Sequence, residues 1–123
     1  SGATALTGLT VTDNLGGYDF NGTTVYPLTY EDGSATLFVD GVPQAAPAVT
    51  ARPPLVVTGI TVPAGGDAVL VYQARANAFA DPDAGGTIDN TVTVTDNDNS
   101  CKCKGTTTLS YLCNTVDSNQ SVL

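Results

Sequence analysis

Apolar and polar residues alternate along much of the chain with a period of two. The alternation is longest in residues 68–77 and 88–95. This period is typical of a β-strand that turns one face to a core and the other to solvent. Similar shorter segments are residues 9–12, 34–39 and 106–116, and residues 55–62 form an apolar, β-branched run. No segment has a convincing helical period, so we predict an antiparallel β-sandwich of about seven short strands with essentially no helix.

The pattern also predicts which side chains of the longest segments face the core. Asn90 falls on the inward face between Ile88 and Val92, so we expect it to be hydrogen-bonded there. An error of one residue would exchange the two faces. We expect four residues in the core, Leu70, Tyr72, Val92 and Val94, and four facing outward, Gln73, Arg75, Thr91 and Thr93.

Turn residues separate these segments. Asn21-Gly22 and Asp40-Gly41 are dipeptides that favour two-residue hairpin turns. The prolines between residues 43 and 54 exclude a central strand there, because proline cannot donate to a β-ladder. We expect that stretch to be an edge or an extended connection, and we expect turns at residues 63–66 and 80–86.

The last part of the chain has a different character. Residues 96–105 are polar and predict a loop, residues 106–116 return to a strand pattern, and residues 117–123 predict a polar tail. The strand could close its own domain, which we favour slightly for residues 106–112, or it could pair with the next subunit of a polymer. Both alternatives remain open from the sequence.

Composition excludes several functions. The chain has 123 residues, one domain's worth, and a net charge of −8 from 12 acidic and 4 basic residues. This charge argues against nucleic acid and anionic membranes as partners, because both are bound through Lys and Arg. The chain has no His, the commonest general base and metal ligand, so we expect no enzyme activity, no cofactor and no metal.

Cys101, Cys103 and Cys113 are the sharpest chemical feature. Two cysteines one residue apart bridge each other only with strain, so Cys113 would pair with one of the others and leave one thiol over. An odd cysteine in a secreted chain suggests a disulfide to another chain. We give the alternative, an unpaired thiol, about the same weight as the inter-chain disulfide.

Two further kinds of site compete with plainer interpretations of the same residues. Asn90 could join a self-formed isopeptide bond, but Lys102 and Lys104 lie in the predicted loop rather than in the core. Residues 81–83 and 96–99 carry Asp and Asn that could bind calcium, but they lack the spacing of an EF-hand loop. We therefore favour a hydrogen-bonded Asn90 and turn-forming Asp and Asn residues.

Three segments carry a resemblance to a known family: residues 1–16 (SGATALTGLTVTDNLG), residues 60–72 (ITVPAGGDAVLVY) and residues 86–94 (GTIDNTVTV). In this order and spacing they resemble the conserved repeat domain of bacterial surface proteins, domain of unknown function eleven. Residues 27–44 resemble its Clostridia-type branch. The resemblance covers roughly residues 1–95, and residues 96–123 depart from it.

The resemblance implies an immunoglobulin-like sandwich, export, and a stalk, adhesin or wall-associated role without catalytic residues. Family members usually have a further strand before the Ser-Gly stretch, so the first strand is expected to be missing here. The chain starts at Ser1 without a Met, which favours a processed product.

We therefore expect residues 1–95 to form the immunoglobulin-like repeat domain, and residues 96–123 to add a cysteine-containing loop, a last strand and a tail. The expected function is a structural subunit or repeat of an extracellular bacterial surface fibre, a homopolymer built by strand addition and inter-chain disulfides. The alternative is an adhesin or carbohydrate-binding module at the cell surface, whose ligand the sequence does not identify.

Overall fold

The computed structural model describes residues 4–50, 52–80, 87–96, 101–110 and 117–122, the last two ranges as backbone strands. None of these residues is helical, which confirms the predicted all-β class. No helix in this part of the chain could therefore cross a membrane. The strands are β1 (Leu6–Asp13), β2 (Tyr18–Phe20), β3 (Thr23–Val25), β4 (Leu28–Tyr30), β5 (Thr36–Val39), β6 (Val42–Pro43), β7 (Ala48–Thr50), β8 (Leu55–Val62), β9 (Ala68–Ala76), β10 (Thr87–Thr95), β11 (Cys101–Ser110) and β12 (Asp117–Val122).

Two antiparallel sheets form the sandwich. The first has the order β11-β10-β1-β8-β7, and the second has the order β12-β9-β5-β6, with β4 also paired to β9. Strands β2 and β3 form a separate two-stranded hairpin. Seven of the twelve described strands have four residues or more, and the others are two or three residues long. The described strands outnumber the predicted seven, since they include five strands of two or three residues and the strand β12, which was predicted to be a polar tail.

The core lies between the sheets and follows the predicted alternation. The four residues expected in the core are almost fully buried: Leu70 is 1% exposed, Tyr72 0%, Val92 5% and Val94 3%. On the other face, Gln73 and Arg75 are exposed, and Thr91 and Thr93 are half-buried. The register predicted for β9 and β10 is therefore confirmed. The other large core residues are Leu9, Val11, Leu15, Leu28, Tyr30, Leu37, Leu55, Val57, Ile60, Val62 and Ile88.

Both predicted hairpin turns are present. Asn21 and Gly22 have φ of 53° and 83°, and Asp40 and Gly41 have φ of 49° and 79°. Two successive left-handed residues are what a tight hairpin turn requires, since its twist then matches that of the flanking strands. The proline-rich stretch supplies only the short edge strands β6 and β7, as its prolines predict.

Two segments predicted to be irregular are strands. β11 begins at Cys101, inside the predicted loop 96–105, and β12 occupies residues 117–122 of the predicted tail. Their backbones pair with β10 and β9 of the same chain, which needs no alternation of apolar side chains. Residues 106–110 thus pair within their own chain, as the first of the two alternatives predicts. Residues 111–116 lie outside the described residues.

Candidate functional site

Two successive strands, β11 and β12, border the two sheets, and we call them the border strands. β11 pairs with β10 along its length, from Thr87 opposite Ser110 to Thr95 opposite Cys101. β12 pairs with six residues of β9, from Arg75 opposite Asp117 to Leu70 opposite Val122. One continuous segment of the chain therefore covers the edges of two long central strands.

The predicted cysteine site falls on this segment. Cys101 and Cys103 lie at the start of β11, opposite Thr95 and Val94, where the register shifts by an irregularity. Cys113 lies outside the described residues. The structure brings the first two cysteines onto a sheet border and leaves the predicted disulfide a prediction.

A buried polar cluster of Asp13, Tyr72 and Asn90 joins the two sheets. The Tyr72 hydroxyl donates a short hydrogen bond to Asp13 Oδ2, and Asn90 Nδ2 donates to the same oxygen over 3.2 Å. Asp13 Oδ1 accepts from the backbone N–H of Leu15 at 2.8 Å. Asp13 and Asn90 are each 1% exposed. Because Asp13 and Asn90 lie in the first sheet and Tyr72 in the second, the cluster ties strands β1, β10 and β9 together.

The same cluster holds the loop that follows β1. The backbone N–H of Gly16 donates to Asn90 Oδ1 at 3.1 Å, and Asn14 Oδ1 accepts from the backbone N–H of Thr91 at 2.9 Å. Gly16 has φ +72°, and a Cβ there would lie 2.5 Å from the Ile88 side chain. Only glycine fits this turn without displacing its neighbours.

Burial strongly changes the acidity of one member of this cluster. Removal from water, together with the negative charge of the adjacent Asp13 carboxylate and the hydrogen bond that it accepts, raises the pKa of Tyr72 far above the usual tyrosine value. Tyr72 therefore remains a neutral hydrogen-bond donor over the ordinary pH range. The described part of the chain offers Asp13 only neutral donors, so the carboxylate is held by hydrogen bonds rather than by an ion pair.

The sequence pattern indicated two members of the cluster and missed the third. Tyr72 and Asn90 were expected to point inward, and the hydrogen bonds of Asn90 confirm its predicted role. Asp13 continues the inward alternation of Leu9 and Val11, which was the available signal. A charged residue on an inward face is uncommon, so pattern analysis tends to end the buried stretch before it.

The candidate calcium and isopeptide sites gain no support. Residues 81–83 and 97–99 lie outside the described residues, and no group of three potential metal ligands occurs in the part that is described. Lys102 and Lys104 lie on β11, where Lys104 is opposite Thr93 and Asn90 is opposite Thr107. Asn90 has its amide engaged with Asp13 instead.

Three aromatic side chains are exposed near the hairpin, and we call them the aromatic tip: Tyr18 (42% exposed), Phe20 (58%) and Phe79 (52%). The Tyr18 hydroxyl donates to the backbone carbonyl of Phe79 at 2.6 Å, which fixes the hairpin against the turn after β9. Tyr18 and Phe20 are two residues apart on β2 and therefore share one face.

Comparison with family models, with curated proteins and with solved structures found no match.

Proposed function

We propose that this chain is a structural subunit or repeat of an extracellular bacterial surface fibre, assembled by exchange of its border strands and locked by disulfides between subunits. The observation that carries the proposal is the position of β11 and β12. They follow each other in the chain, and each borders one of the two sheets.

Exchange between copies conserves the pairing. If β11 and β12 leave their own sandwich, nine positions of β10 and six of β9 lose their partners. A second copy supplies the same two strands and restores every backbone hydrogen bond. The hydrogen bonds lost within one copy and those gained from the other nearly cancel in free energy. Exchange of an identical element is therefore a route to assembly with a low free-energy cost. A head-to-tail exchange that does not close on itself grows a filament.

The receiving strands are held without help from the border strands. Asp13 and Asn90 join β1 to β10 across one sheet, and Tyr72 connects them to β9 in the other. The edges of β9 and β10 therefore keep their relative position while the border strands are exchanged. A fixed receiving edge lowers the ordering cost of strand addition.

The sequence of β11 suits an outer strand. Lys102 and Lys104 place charge on the border, which discourages indiscriminate pairing of sheet edges. Cys101 and Cys103 lie beside them on the same strand and form disulfides in an oxidising extracellular environment. Growth thus occurs by exchange, and covalent bonds then secure the joint.

Electron microscopy of the purified chain tests the proposal. The intact chain is expected to form filaments, and a chain without residues 105–123 is expected to form none. Gln120→Pro, which removes one N–H from β12, is expected to shorten the filaments, while Ala46→Pro in the exposed connection before β7 leaves them unchanged. Circular dichroism checks that the two proline variants keep the strand content of the intact chain and that the shortened chain remains folded. Equally long and stable filaments from the shortened chain would contradict strand exchange.

The cysteines are tested by non-reducing gel electrophoresis of the same filaments. The intact chain is expected to give a ladder of covalent multimers, and replacing all three cysteines with serine removes the ladder while filaments still form. Single serine variants then identify which of Cys101, Cys103 and Cys113 forms the bond. Fully reduced cysteines in the mature extracellular protein would overturn this part of the proposal.

A further inference from the structure

The aromatic tip adjoins two clefts that share one aromatic wall. The first has a volume of about 370 Å³ and lies among Leu15, Tyr26, Leu28, Tyr30, Asn77 and Phe79. The second has a volume of about 320 Å³ and lies among Gly16, Gly17, Tyr18, Pro27, Phe79 and Asp89. Both volumes fall within the range of roughly 300–1,000 Å³ that is usual for small-ligand sites. Phe79 lines both clefts.

The walls of the clefts combine apolar faces with hydroxyl and carboxylate groups. Tyr26 is half-buried, and its hydroxyl makes no hydrogen bond within the described residues. Thr24 adds a second hydroxyl to the first cleft, and Asp89 adds a carboxylate to the second. Such walls fit a ligand with an apolar face for the aromatic rings and a rim of hydroxyl groups for the polar atoms.

The charge of the site narrows the ligand class. No basic side chain occurs among the described residues that line the two clefts, and Asp89 contributes a carboxyl group to the wall of the second. Phosphates, sulfates and uronic acids are therefore disfavoured. A purely apolar peptide is also disfavoured, since it would cover polar groups of the site without hydrogen bonds to them.

Hydrogen bonds hold the floor of the site in place. The loop from Asn14 to Gly17 is held by Asn90 and by its own turn hydrogen bonds, and the hairpin is fixed to Phe79 through Tyr18. A site that is formed before the ligand arrives avoids the cost of ordering on binding. From this geometry we infer that the aromatic tip and its two clefts bind a neutral oligosaccharide, with a sugar ring stacked on Phe79. The inference goes beyond the fibre proposal and does not depend on it.

Amide NMR spectra recorded during titration with cellobiose, maltose, lactose and N,N′-diacetylchitobiose test the inference. At least one disaccharide is expected to shift the amide signals of residues 16–20 and 77–80. Phe79→Ala is expected to weaken that binding by about tenfold or more, as removal of a central aromatic contact does. Val42→Ala, which alters a side chain of similar exposure outside both clefts, is the matched control and leaves binding unchanged.

Three results would overturn the inference. One is that none of the four sugars shifts the amide signals of residues 16–20 and 77–80. Another is that neither Phe79→Ala nor Phe20→Ala changes the affinity for a sugar. The third is tighter binding of a sulfated heparin disaccharide than of any neutral sugar. If the apolar dye ANS shifts the tip amides and no sugar does, the surface serves an apolar partner instead. Filament formation is measured separately, so either outcome leaves the fibre proposal to its own test.

Discussion

The central strands β9 and β10 differ from the border strands β12 and β11 that pair with them. β9 (Ala68–Ala76) alternates between buried and more exposed residues from Ala68 to Arg75. Its partner β12 has the sequence DSNQSV, with one apolar residue at its end. β11, with the sequence CKCKGTTTLS, is similarly polar beside the alternating β10.

This difference shows that two kinds of interaction build the same sheets. Each large apolar side chain that β9 buries contributes roughly 1.5–3 kcal/mol, and only one register places all of them in the core. Polar strands are held mainly by backbone hydrogen bonds, each contributing about 0.5–1.5 kcal/mol net. Backbone pairing is available equally from a second copy of the chain. The polar composition of the border strands therefore suits exchange. The alternating apolar composition of the central strands does not, because each inward side chain has its place in one core.

The largest effect is expected at the buried polar cluster that holds the central strands. Asp13→Ala removes the acceptor of Tyr72, Asn90 and the Leu15 N–H, and leaves three buried donors unsatisfied. We expect a loss of about 4 kcal/mol in the free energy of unfolding, measured by urea denaturation of the monomer. Asp19→Ala, at an exposed position of β2, is the control and changes it by less than about 0.5 kcal/mol. Equal effects of the two substitutions would show that the buried polar cluster does not stabilise the central strands.

The next test compares two residues that face each other across β9 and β12. Leu70→Ala opens a cavity in the core and is expected to cost about 3 kcal/mol. If β12 is held mainly through its backbone pairing, Val122→Ala at the paired position costs less than about 1 kcal/mol. Denaturation of both variants checks this difference. A larger loss from Val122→Ala would mean that side-chain packing holds the border strand.

Alkaline pH should lower the free energy of unfolding through Tyr72. Its raised pKa keeps it protonated in the folded chain, whereas an unfolded tyrosine loses its proton above about pH 10. Above that pH the folded state holds one proton more, so the free energy of unfolding falls by about 1.4 kcal/mol per pH unit. This contribution is fully present below pH 10. Tyr72→Phe should abolish the slope and Tyr18→Phe should retain it in denaturation curves between pH 9 and pH 12. An unchanged slope in Tyr72→Phe would show that another group causes it.

The smallest effect is expected on the outer face of β9. The Arg75 guanidinium lies 2.9 Å from a Glu31 carboxylate oxygen, but their side chains are 52% and 37% exposed. Water screens such a pair, so Glu31→Gln should change the free energy of unfolding by less than about 0.5 kcal/mol. A loss above about 1 kcal/mol in thermal or urea denaturation would show that stability also depends on the exposed face.

Sequence pattern predicted the central strands because burial imposes alternation on them. Leu70, Tyr72, Val92 and Val94 were placed correctly, and so were the hairpins at Asn21-Gly22 and Asp40-Gly41, where two left-handed residues have a distinctive sequence. In both cases a local requirement, burial in the strands and positive φ in the turns, favours particular residue types. These residue types can be recognised from the sequence alone.

The border strands could not be predicted in the same way. Cys101 to Gly105 and Asp117 to Val122 carry no periodic apolar signal, since backbone pairing with β10 and β9 requires none. Asp13 was missed for a related reason, because its acceptor role depends on Tyr72 and Asn90, which are distant in sequence. The aromatic tip likewise arises where the hairpin meets the turn after β9.

Disulfide trapping between paired strands tests strand exchange most directly. Gln73 and Asn119 are opposite each other on β9 and β12, so Gln73→Cys and Asn119→Cys are combined in a chain whose native cysteines are serine. Thr10→Cys with Thr95→Cys, across β1 and β10, is the control pair that stays within one subunit. After oxidation of the assembled protein, strand exchange predicts a ladder of covalent multimers from the first pair and closed monomers from the second. Closed monomers from both pairs would contradict strand exchange.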